Sequence, residues 1–164
     1  MSMIKRVRKT VIGDVFCAKI NDKQKRYLQY VVSDLAQLNS DVIRVFKEVY
    51  PIDANPDLSE IVSGEIEFYS HCDTKAGIKK ELWEKVGNTS EIGNIEQIIF
   101  KSKEELKRPD IHDWWVWRVN GNRIRVGELK GEYKNAHIGF VFQVDNIMHK
   151  LKTGSYPGAV AQLE

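Results

Sequence analysis

His71, Cys72 and Asp73 stand side by side, and a thiol next to an imidazole is the raw material of a cysteine nucleophile with its base. Neighbouring residues of an extended chain point to opposite faces, so this pair does not meet, and a base has to lie within hydrogen-bond reach of its nucleophile. The expectation is a buried structural thiol at a strand end beside a solvated histidine. Glu65 and Glu67 share one face of the preceding segment and read as solvated acids facing water. His112, His137 and His149 are scattered, and no C-x-x-C or H-x-x-x-H pair accompanies them, so no metal is expected. The eleven glycines form neither G-x-x-x-x-G-K nor G-x-G-x-x-G, and there is no G-x-S-x-G elbow. The chain therefore reads as a non-enzyme without a cofactor.

What remains is a mixture of arginine and tryptophan. Asp113 to Leu129 (DWWVWRVNGNRIRVGEL) alternates on both sides of Asn120-Gly121-Asn122, as a hairpin with a tight primed turn does. A two-residue turn puts Trp115, Trp117, Val119, Ile124 and Val126 on one side, the expected core. Trp114, Val116, Arg118, Arg123 and Arg125 fall on the other. Trp114, Arg118, Arg123 and Arg125 are accordingly the candidate partner-binding residues, able to grip phosphates, stack on bases or meet a carboxylate-rich protein surface.

The rest of the chain has to position that face. Thr10 to Ile20 and Arg26 to Ser33 flank the turn Asn21-Asp22-Lys23 and predict an antiparallel hairpin. Asp41 to Tyr50 is β-branched enough for a strand, Pro51 to Leu58 predicts an exposed loop, and Ile61 to Tyr69 predicts a strand in its later part. Asp73 to Val86 predicts the main helix: Asp73 or Thr74 caps it, Ile78, Leu82 and Val86 recur every four residues, and Gly87 stops it. Ile95 to Lys101 predicts a short buried strand before a charged loop, Ser102 to Asp110. His137 to Val144 places Ile138, Phe140, Phe142 and Val144 on one face, and Asp145 then caps a short helix that Gly154 ends. Residues 155–164 read as a tail or a loosely docked strap, and 1–9 as a basic tail. The fold class is α+β, mostly antiparallel sheet, curled or barrel-like, with one main helix and a short C-terminal helix.

With 164 residues and 42% apolar composition the chain suits a single domain spanning 1–164. A net charge of +2 gives no global field toward nucleic acid or an anionic membrane. Charges interrupt every hydrophobic run, no secretory signal is read at the basic start, and two distant cysteines read as reduced thiols, so a cytoplasmic protein off the membrane is expected.

Three segments carry a family resemblance: Ile12-Gly13-Asp14-Val15-Phe16, Ala76-Gly77-Ile78-Lys79-Lys80-Glu81-Leu82-Trp83-Glu84-Lys85-Val86-Gly87, and the tryptophan-rich late strand. Together they resemble the immunity protein 26 family of bacterial polymorphic toxin systems. The resemblance implies a β-rich protein that binds and neutralises a cognate toxin by occlusion, without catalysis. The matching motifs are core and turn positions, so it assigns no toxin-contacting residue. The alternative is a nucleic-acid-binding module working through the arginine and tryptophan face.

Overall fold

A computed structural model describes residues 9–104 and 112–164. The basic cluster of residues 5–8 and most of the charged loop lie outside them. The first hairpin forms as expected: β1 (Asp14–Lys19) pairs antiparallel with β2 (Gln24–Asp34), and Asn21 Oδ1 holds the turn by accepting from Lys23 N at 2.8 Å. β3 (Ser40–Phe46) adds to β2, β4 (Tyr50–Pro51) pairs with its start, and β5 (Ile66–Cys72) adds to β3. Between β4 and β5 lies α1 (Leu58–Val62). Ile61 and Val62 are thus helical, and the strand forms in the later part of the segment, where the alternation places it.

The main helix is shorter than its apolar spacing predicts. α2 spans Thr74–Lys79, with the Asp73 side chain capping Ala76 N. Trp83 ends it. Its indole folds back until a Cβ on Gly77 would lie 1.9 Å away, and Trp83 Nε1 donates to Thr74 O at 3.1 Å. Glu81 takes the left-handed conformation, φ 58°, that this reversal needs. Residues 84–88 then form β6 (Glu84–Asn88) along β1, leaving Val86 exposed on the sheet edge, and Gly87 stops no helix. Among the described residues the longest helix is instead the C-terminal one, α3 (Val144–Thr153), ended by left-handed Gly154.

A second sheet is built from β7 (Ile99–Ser102), β8 (Trp114–Arg118), β9 (Ile124–Gly127) and β10 (His137–Ile138). Its order is β10-β7-β8-β9. β11 (Val141–Phe142) leaves this sheet and pairs with β5, so the first sheet runs β11-β5-β3-β2-β1-β6 with β4 beside β2. The expected strand 137–144 is therefore split between two sheets at Gly139, where a Cβ would stand 2.0 Å from the Trp117 ring. Ile138, Phe142 and Val144 are buried, but Phe140 is exposed. Neither sheet closes into a barrel.

The first sheet is covered on both faces, which is why β1 and β3 are buried nearly throughout instead of alternating. Phe16, Leu28, Ile43, Val45 and Phe68 pack under Ile147 and Leu151 of α3, Trp83, Tyr156 and Leu163. On the opposite face Val15, Tyr27, Phe46 and Tyr50 meet Ile61 and Val62 of α1, while Val31 and Val42 meet Phe100 and Trp117 of the second sheet. Residues 155–164 are a docked strap: Tyr156 stacks on Phe142 at 3.9 Å and Leu163 is buried. Among the described residues no helix is long and apolar enough to cross a membrane.

Candidate functional site

The late hairpin is one residue out of the register that a two-residue turn imposes. Trp115 stands opposite Arg125 and Val116 opposite Ile124. The turn is held by Gly121 N donating to Arg118 O at 2.8 Å, with Asn120 at φ 60°. A slip of one residue exchanges the faces of the second arm. Arg125 consequently joins Trp115, Ile124 joins Val116, and Ile124 is 56% exposed where a core residue was expected.

The four candidate residues are therefore not assembled on one face. Trp114 is buried, with the ammonium groups of Lys103 and Lys101 4.2 and 5.1 Å from its ring. Arg118 pairs with Glu132 at 2.9 Å and donates to Glu96 O at 3.0 Å. Arg125 pairs with Asp113 at 2.7 Å, and Arg123 lies 4.8 Å above the Trp115 ring. Exposed pairs of this kind contribute about 0.2–1 kcal/mol each.

What places the hairpin is a buried carboxylate. Asp34, at the end of β2, is fully buried and accepts from His71 Nε2 and Trp117 Nε1, both at 2.9 Å. Its other oxygen accepts from Asn120 N at 3.1 Å and Gln37 N at 3.4 Å. Burial pushes the carboxyl pKa up, but the hydrogen bonds from His71, Trp117 and Asn120 outweigh it and hold the group below the usual carboxylate range. His71 is thus not solvated: it is fully buried, 4.1 Å from the Phe100 ring centre, with Nδ1 unpartnered. Cys72 is buried in the other core layer, where burial followed by the charges of Asp41 and Asp73 raises its pKa. The two side chains do not meet. Glu67 is also partly withdrawn from water, paired with Arg26 at 2.8 Å.

The same anchoring brings two loop tips together. Leu35 N donates to Asn120 Oδ1 at 2.8 Å, and Gln37 Nε2 reaches Gly121 O at 3.4 Å. The β2–β3 tip so fixed presents Leu35, 70% exposed, and Leu38, 43% exposed. Leu38 and Asn39 both adopt positive φ, 62° and 46°, a conformation that asparagine tolerates but that costs a leucine about 1–2 kcal/mol. Beside the tip runs a groove of about 240 Å³, mostly apolar, lined by Ile99, Val116, Arg118, Gly121, Ile124 and Tyr133. Gly121 belongs to both features, so prominence and groove are continuous. Composition and periodicity gave no sign of this site, because Leu35 and Leu38 look like ordinary apolar residues until their exposure is known. The one signal was Asn39 within a short polar break between strands.

Among the described residues no group of three or more His, Cys, Asp or Glu side chains gathers to hold a metal ion. Comparison of the chain with protein-family models, with curated proteins and with solved structures returns no match.

Proposed function

We propose that the chain is an immunity protein that binds and occludes a cognate toxin, with the Leu35–Asn39 tip and the adjoining Ile124 groove as the contact surface. The observation that carries the choice of surface is the tip itself. Two leucines are held out in water on a loop whose backbone is strained and whose base is locked by Asp34 and Asn120. Exposed apolar groups on a rigid support mark an interaction site, and a surface ordered in advance loses little entropy on binding. The toxin as partner follows from the resemblance to the immunity protein 26 family. Binding by occlusion needs no reacting group. The nucleic-acid reading lacks the shared arginine face that motivated it, since Arg118, Arg123 and Arg125 are engaged on two sides and Trp114 is buried.

Co-expression with the products of neighbouring genes tests the proposal. One of them should be toxic alone, should co-purify with this chain, and should become harmless in its presence. Leu35→Asp with Leu38→Asp should abolish both capture and rescue while leaving the circular dichroism spectrum unchanged. A double variant that still captures and rescues would remove the tip from the interface, and the absence of any rescued toxin would remove the immunity reading.

A further inference from the structure

One cavity among the described residues holds a buried lysine with no carboxylate paired to it. It is partly open, has a volume of about 160 Å³, and is walled by Phe68, Tyr69, Lys101, His137, Lys150 and Tyr156. Two carboxylates border it, Glu67 and Glu164, and each already has its cation. Glu67 pairs with Arg26 at 2.8 Å, and Glu164 pairs with Lys150 while accepting from Ser155 Oγ and, at 3.2 Å, from Tyr156 N. Lys101 is left over. It is only 7% exposed, and among the described residues no carboxylate pairs with it. Its nearest compensation is the Trp114 ring, 5.1 Å from Nζ, an attraction weaker than the desolvation of a buried ammonium. His137 adds a donor. Its Nδ1 accepts from Tyr69 N at 3.4 Å, so the ring proton resides on Nε2.

We propose that this cavity binds a small carboxylate, its anionic group seated against Lys101 and its hydrocarbon part against Phe68, Tyr69 and Ile138. The pairing selects the class: with Glu67 held by Arg26 and Glu164 by Lys150, Lys101 alone lacks a counter-charge, and one negative charge supplies it, whereas a phosphate dianion would overshoot. The volume sets the size, since a cavity of about 150 Å³ admits a molecule as large as benzene. A monocarboxylate of about three to five carbons fits on that basis. This inference is independent of the toxin reading.

The test is an NMR titration of isotope-labelled protein with sodium butyrate, against sodium chloride at matched ionic strength and against butyramide as the uncharged analogue. Butyrate alone should move the Lys101, His137 and Ile138 resonances saturably. Lys101→Met should weaken the affinity by about tenfold or more, the loss of one buried ionic contact. Glu164→Gln, which leaves Lys150 without its internal anion, should tighten it. The proposal is overturned if butyramide binds as well as butyrate, if inorganic phosphate binds more tightly, or if Lys101→Met binds like the parent. Should Lys101→Met fail to fold, Glu164→Gln decides: an affinity unchanged or weaker there overturns the proposal equally.

Discussion

Replacing Asp34 by alanine is the sharpest test of how the two sheets are held together. The substitution strips the acceptor from Trp117 Nε1 and His71 Nε2, both buried at 2.9 Å, and from the Asn120 amide at 3.1 Å. A buried donor left without an acceptor costs about 1–3 kcal/mol. The two fully buried donors alone put the loss at about 4 kcal/mol. Against a total stability of about 5–15 kcal/mol that is a third or more. Urea unfolding followed by tryptophan fluorescence measures it, as a fall in midpoint at unchanged slope. Asp113→Ala, which removes the exposed partner of Arg125, is the control and should cost under about 1 kcal/mol. The mechanism is checked by a cycle with Trp117→Phe, which deletes one of the stranded donors. Asp34→Ala should then cost about 1–2 kcal/mol less in the phenylalanine background than in the parent. If Asp34→Ala costs no more than Asp113→Ala, the buried donors find water or each other, and the carboxylate is not what positions the hairpin.

Acid should destabilise the protein through His137. Burial, then the charges of Lys150 and Lys101, push its pKa from 6.5 down to about 4. The unfolded chain therefore takes up a proton that the native chain refuses, and stability falls as pH drops from about 6.5 to about 4. The loss is about 3 kcal/mol at most, and His137→Gln should flatten that part of a pH–melting curve. Asp34 acts lower down. Its depressed pKa gives stability that is present above about pH 4 and lost as pH falls through the native value. Gly77→Ala should cost more than about 2 kcal/mol by driving a methyl into the Trp83 ring, read out by thermal unfolding; a cost near zero would mean the indole can move away. Cys72, buried and with its thiol pKa raised, should react with iodoacetamide only as fast as the protein opens, and rapid labelling of the native state would contradict its placement.

The outline of the fold was legible in the chain wherever period and turn chemistry agreed. The Asn21-Asp22-Lys23 turn, the β-branched run at 42–46 and the Gly154 stop all sit where their residue types require. Two kinds of information were not local. Ile78, Leu82 and Val86 keep helical spacing, yet the helix yields to burial of Trp83 against Gly77, a tertiary contact that no window of sequence contains. The hairpin at 113–129 has the right turn residues, but its register is decided by Asn120 reaching Asp34, 86 positions earlier. That single step moved Arg125 and Ile124 to new faces and took the candidate site apart. His71 shows the same limit, since an imidazole at a strand end reads as solvated until its carboxylate partner on another strand is known. The cavity around Lys101 gathers residues from β5, β7, β10, α3 and the strap, and so belongs wholly to the three-dimensional arrangement.

The left-handed Leu38 has a consequence for how this chain can change. Glycine would occupy φ 62° without steric penalty, so Leu38→Gly should raise the melting temperature of the isolated protein. A chain shaped for thermal endurance alone has an easy improvement there. Retaining a leucine at that point, half out in water, trades folding stability for a protruding side chain. If the tip binds a partner as proposed, this is a position at which robustness and recognition pull in opposite directions.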